Sequence, residues 1–193
     1  MAGCIGGIAK EITSTCETSK VGGLEVVAWA FNRKDLEITY SATEGEENLI
    51  TSLANATAKI GYRITGVKKL LNCGHDIVVA DDRPNKYTHF FALQGFEFDQ
   101  ESEMNMDDLD DLVIIVERKD KADDGDGVFN AYGCKYGLFK SADSARANDI
   151  NGARNIELMS LGGQEEPVSK YIVLDTDYTN TLALIESLMS LPT

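Results

Sequence analysis

The sequence predicts an α+β domain built on a mostly antiparallel sheet, and three observations carry that expectation. Short runs rich in β-branched and aromatic residues recur along the whole chain. Helical patterns occur at only two or three places, without the regular strand–helix alternation of a parallel sheet. The 193 residues, 43% of them hydrophobic, suit a single domain, 1–193, with a sizeable core.

Residues 1–20 are small, polar and Gly-rich, and predict an extended N-terminal arm. Gly22-Gly23 then precedes "LEVVAWAF", Leu24 to Phe31, a strand by composition. Asn32 to Asp35 is turn chemistry, and "LEITYSA" alternates through Leu36, Ile38 and Tyr40. The two runs are expected to form a hairpin with one buried face. Next, Leu49, Ile50, Leu53, Ala56 and Ile60 recur at helical spacing. Acids precede them, Lys59 lies near the end and Gly61 follows, so a helix is predicted there.

"YRITGV", "DIVVA" and "THFFALQGFEF" are strand candidates, with a turn at Asp81 to Asn85. Residues 97–111 hold eight acids and no base. Met106, Leu109 and Leu112 in and after that run suggest a short helix with a solvated acidic face. "LVIIVE" has five consecutive apolar residues and predicts a buried strand. In "GVFNAYGCKYGLF", strand character resumes, and Gly133 and Gly137 suggest a bulge or a close backbone approach. "SADSARANDINGA" predicts a polar loop, while "RNIELMSL" and "SKYIVLD" predict strands. Leu182, Ile185, Leu188 and Met189 share one face of a terminal helix, with Thr179 or Asn180 as its cap and Pro192 as its stop.

Thirty-two acids against 18 bases leave a net charge of −14. Such a surface repels DNA and RNA. The plain reading is a soluble acidic protein, and the sharper one is a surface that must not adhere to nucleic acid. Cys4, Cys16, Cys73 and Cys134 form no C-x-x-C pair, so reduced thiols in a cytoplasmic setting are expected. Ala2-Gly3-Cys4 is similar to the end of a lipoprotein cleavage site. No basic and apolar region precedes Cys4, so lipidation is not expected. No apolar run approaches the ~18 residues of a membrane span.

Three patterns invite a chemical reading. In "RKDKADDGDG" a calcium loop begun at Asp120 meets Ala122 and Ala131 where two ligands belong, although Asp124 and Gly125 fit. A different calcium site on Asp120, Asp123, Asp124 and Asp126 is an alternative, as an interaction module. The composition itself predicts a long hairpin loop at 118–127 between paired strands. Cys73, His75 and Asp76 supply a nucleophile, a base and an acid, but adjacent residues rarely achieve triad geometry. A turn entering the next strand is expected at "CGHD". His89 lies inside a strand run and reads as a hydrogen-bonded structural residue. A hydrolase built on Cys73 or His89 is the enzymatic alternative. There is no zinc spacing, P-loop, G-x-G-x-x-G after a strand, or G-x-S-x-G elbow. The expectation is therefore no enzyme, no catalytic residue, no metal and no cofactor.

The order of segments carries a resemblance. The segments are "HFFALQGFEF" around His89, "LVIIVERKD" at 112–120, "YGCKYGL" at 132–138 and "NGARNIELMS" at 151–160. Together the chain resembles structural proteins of the tail-tube or tail-ring kind from phages of Bacteroidetes-type bacteria. The resemblance implies a curled antiparallel sheet or barrel-like sandwich with one or two flanking helices and a C-terminal helix. The type VI secretion tube protein shares that fold. It implies a homo-oligomeric ring, usually a hexamer, in the virion tail, assembled in the bacterial host cytoplasm beside other tail or connector proteins. DNA would pass through the negatively charged conduit as cargo and would not be bound specifically, and no membrane would be involved. A head or connector protein is the alternative within the same class.

Overall fold

The computed structural model describes residues 23–65, 71–79, 84–95, 100–121, 127–146 and 153–191. The arm at 1–20, residues 122–126 of the 118–127 loop and the Pro192 stop fall outside them.

Eleven strands and two helices are described. In chain order they are β1 (Leu24–Asn32), β2 (Leu36–Tyr40), β3 (Leu49–Asn55), β4 (Tyr62–Thr65), β5 (Leu71–Val78), β6 (Lys86–Gly95), α1 (Gln100–Asp107), β7 (Leu112–Arg118), β8 (Phe129–Tyr132), β9 (Phe139–Ala145), β10 (Arg154–Met159), β11 (Tyr171–Val173) and α2 (Tyr178–Ser187). They build a seven-stranded sheet of order β2-β3-β11-β8-β7-β1-β4 and a four-stranded sheet of order β5-β6-β10-β9. The described pairs are antiparallel except β11 on β3, so the larger sheet is mixed. The α+β sandwich is as expected, but it is not closed into a barrel.

The larger sheet is curled, and chain length forces this. Five strand spacings separate β1 from β2, about 24 Å in a flat sheet. Only a three-residue 3-10 turn, Arg33–Asp35, joins them, and that reaches at most about 14 Å. The sheet must therefore bend until its far edge returns towards β1. Helix α2 lies in the resulting trough. Ile185 and Leu188 pack there with Trp29 and Phe31 from one side of the sheet and Leu36, Ile50 and Leu53 from the other. Asn55 and Gly61 both donate to the carbonyl of Leu188, from opposite sides of the gap.

The opposite face of the same sheet carries the second core. Ala28, Ala30, Leu112, Ile114, Val116 and Tyr132 meet Phe91, Leu93, Ile156 and Leu158 of the smaller sheet and Met106 of α1. β7 lies in the middle of the larger sheet and is apolar on both faces, so its side chains serve both cores. The molecule is thus layered as α2, curled seven-stranded sheet, four-stranded sheet.

Several sequence expectations are corrected. The predicted helix over Leu49 to Ile60 is strand β3 followed by a turn. β1 and β2 do not pair; β2 pairs with β3, and β1 pairs with β4 and β7. "CGHD" is not a turn but lies inside β5. The polar loop begins only after Ala145, because Ser141 to Ala145 belong to β9. Asp177 caps α2, accepting from the backbone N–H of Asn180 at 2.8 Å, in place of Thr179 or Asn180. The β7–β8 hairpin forms as predicted, with Glu117 opposite Phe129 and Val116 opposite Asn130.

Candidate functional site

Strand alternation separates the residues of "CGHD". In β5, Cys73 and His75 share one face and Asp76 takes the other. Cys73 is packed against the second core. Burial pushes its thiol up to about 11 despite the nearby Lys170 ammonium. His75 stands against Tyr87, with ring centres 5.5 Å apart and the planes nearly perpendicular. The three side chains therefore do not converge on one point.

His89 is directly opposite His75 in the β5–β6 register but is fully buried. Its Nδ1 accepts the backbone N–H of Gly133 at 3.2 Å, and its Nε2 lies 2.8 Å from the carbonyl of Val168. A ring nitrogen facing an N–H must be bare, so the proton is on Nε2 and the imidazole is neutral. Burial lowers its pKa to about 4. Both nitrogens are engaged in holding backbone, which leaves no free lone pair for a base.

Glu166 is a second buried polar residue, and no local pattern in the sequence marks it. Its carboxylate accepts from the backbone N–H groups of Lys135 and Tyr136, both at 3.0 Å, and from the Tyr171 hydroxyl at 2.9 Å. Burial raises its pKa, and those donors pull it down in part. Its backbone pairs with that of Tyr87 through two 2.8 Å hydrogen bonds. Together His89 and Glu166 pin the 133–138 turn to the smaller sheet. Gly133, at φ +76°, allows that turn; a Cβ there would come within 2.7 Å of the Leu112 carbonyl oxygen.

The acidic helix is not simply solvated. Arg154 of β10 sits among Glu103, Asp107 and Asp143, reaching Asp107 at 2.6 Å and Asp143 at 2.6 Å and pairing also with Glu103. Lys140 of β9 donates to the Met106 and Asp107 carbonyls at 2.8 Å each, at the C-terminus of α1. These contacts fasten α1 across β9 and β10.

What remains open is the margin of each sheet. Among the described residues, no strand covers the outer sides of β2, β4, β5 and β9. Apolar side chains stand at three of these margins: Tyr40 in β2, Tyr62 in β4 at 58% exposure, and Ile77 in β5 at 53%, with Val79 just beyond it at 70%. Beside β4 a groove of about 550 Å³ opens towards α1, floored by Ala30, Ile64, Leu93, Met106 and Leu112. Edges and an apolar groove are equipment for contact with another chain.

Of the predicted calcium ligands, Asp123, Asp124 and Asp126 lie outside the described residues. Among the described residues no three His, Cys, Asp or Glu side chains gather to hold a metal ion. No described helix is long and apolar enough to cross a membrane. Comparison with known proteins finds no matching family, no matching curated protein and no matching solved structure.

Proposed function

We propose that the chain is a structural virion protein that joins copies of itself into a ring or tube of a phage tail, a hexamer in its simplest form. The observation that carries this reading is the set of four strand edges left uncovered among the described residues, with exposed Tyr40, Tyr62 and Ile77 on them. An isolated two-layer sandwich protects its edges or leaves them short. Here β5 is eight residues long and β9 seven. A further strand or sheet margin from a neighbour would satisfy their free N–H and C=O groups.

The charge supports the same reading. Each copy brings −14, and a ring multiplies it. A strongly anionic passage repels a phosphate backbone and lets DNA slide without sticking. Purified protein examined by light scattering and electron microscopy should form rings or tubes as concentration rises. A particle of one-subunit mass at every concentration would overturn the reading.

A further inference from the structure

Sheet margins are normally blunted by shortness, bulges, Lys or Pro. Three of the four margins left open among the described residues show such a device. β4 has four residues. β2 has five and pairs with a bulged strand. β9 is itself bulged at Ser141, since Glu157 faces Ala142 while Leu158 faces Lys140. β5 has none of these protections. It is eight residues long, holds no Lys or Pro, and runs against β6 in unbroken register from Leu71 opposite Leu93 to Val78 opposite Lys86.

The side chains of β5 sort unevenly along its length. Leu71 and Cys73 face the larger sheet and pack in the second core. Ile77 continues their row, and Val79 follows the strand in the same phase, yet both are exposed. One half of the row is buried and the other half bare, with His75 at its midpoint. Charge is polarised in the same direction, for Lys68-Lys69 precede the strand in sequence and Asp81-Asp82 follow it.

We infer that β5 pairs antiparallel with β5 of a second copy about a two-fold axis through His75. Each bare half then lies beside the buried half of the other strand, Ile77 opposite Cys73 and Val79 opposite Leu71 of the second copy. Asp76, the only acid in the strand, falls opposite Gly74. A shift of two residues one way would oppose the two Asp76 carboxylates, and the other way would leave Val79 outside the paired strand. The opposite charges that flank β5 in sequence favour the antiparallel arrangement and oppose a parallel one. A chain of charge −14 repels its own copies over most of its surface, and a strand with one acid is where that repulsion is least. Eight residues a side fall short of the about 20–30 of a stable interface, so the dimer is weak and depends on concentration. The contact is isologous and closes on itself. It goes beyond the ring reading and does not depend on it.

Cysteine crosslinking reads the axis directly. Directly opposed residues of antiparallel strands have Cα atoms about 4.5–5.5 Å apart, within disulfide reach. With Cys4, Cys16 and Cys73 replaced by Ser, His75→Cys should give a disulfide-linked dimer under mild oxidation. Asp76 is also exposed, but in this register it lies about 8 Å from its copy, so Asp76→Cys should not. Ile77→Lys/Val79→Lys should weaken self-association in sedimentation at least about tenfold, with circular dichroism confirming the fold. Equal crosslinking at positions 75 and 76, or an Ile77→Lys/Val79→Lys protein that associates as wild type does, would overturn the contact. Dimers crosslinked at position 75 with no larger particle would support the contact and overturn the ring reading. Rings that form without that crosslink would do the reverse, and monomers at every concentration would overturn both.

Discussion

The backbone N–H of Gly133 donates to Nδ1 of His89 across 3.2 Å, so a turn of the larger sheet depends on a bare imidazole nitrogen in the smaller one. Protonating that nitrogen removes the acceptor and sets N–H against N–H. Burial already lowers the folded pKa to about 4, from 6.5 in the free side chain. Between those values the unfolded chain binds the extra proton. The His89 contribution is therefore intact above pH 6.5 and is lost as pH falls towards 4, a change of about 3 kcal/mol. Glu166 acts oppositely: its raised carboxyl pKa favours the folded chain as pH falls through its folded value. Urea midpoints near pH 7 and pH 4.5, compared with those of His89→Gln, isolate the histidine. Wild type should lose more stability than the variant over that interval, and equal losses would refute the assignment.

Gly133 and Gly163 both have left-handed backbones, at φ +76° and +86°, but only Gly133 is crowded. A Cβ at Gly133 would come within 2.7 Å of Leu138 Cγ as well as of the Leu112 oxygen, whereas nothing lies within 4 Å at Gly163. Gly163→Ala should cost about 1 kcal/mol, the conformational penalty alone. Gly133→Ala should cost about 2–4 kcal/mol, with overpacking added. Equilibrium denaturation with unchanged slopes measures the difference directly.

The sequence made some elements plain because one local pattern dictated them. Val113 to Val116 form a run too apolar for anything but a central strand, and Ile185 and Leu188 mark the buried stripe of α2. β3 was misleading for a definite reason. Thr39 faces Ser52 while Tyr40 faces Ile50, so Thr51 is an extra residue in a bulge. The bulge brings Ile50 and Leu53 to the same core at a spacing of three, which imitates a helix. The supposed β1–β2 hairpin failed because the curl of the sheet, a property of all seven strands, brings β2 close to β1 without pairing them. Glu166 and Arg154 were invisible for a similar reason. Their partners are 30 or more residues away in Lys135 and Tyr136 for one, and in Glu103 and Asp107 for the other, and nothing in the local pattern distinguishes them from surface charges.

Arg154 holds three carboxylates apart as well as in place. Its side chain is only 12% exposed, while Glu103 and Asp107 reach it from solvent. Arg154→Ala would leave Glu103, Asp107 and Asp143 facing one another across β10. The expected loss is about 2 kcal/mol, below that of a fully buried ion pair because the acids are partly hydrated. Amide hydrogen exchange should quicken selectively over Gln100–Asp107, since α1 loses its ion-pair anchor to β10 and keeps the Lys140 contacts and the buried Met106. Uniform quickening throughout the chain would mean that Arg154 supports the whole fold and not the helix in particular.

Glu186 lets the same question be asked of α2, with a built-in probe. Trp29 is the only tryptophan in the chain. It is nearly fully buried, and its indole N–H donates to the Glu186 carboxylate at 3.1 Å. Arg63 of β4 pairs with the other oxygen, so one carboxylate ties α2 to two strands. Replacing Glu186 by Ala leaves the indole N–H without a partner and frees Arg63, at a cost of about 1–2 kcal/mol. If α2 closes the trough of the curled sheet, water will reach Trp29 as the helix loosens, and its fluorescence will move to longer wavelength before global unfolding. A variant that melts earlier with unchanged native emission would show that the helix stays seated on Ile185 and Leu188 alone.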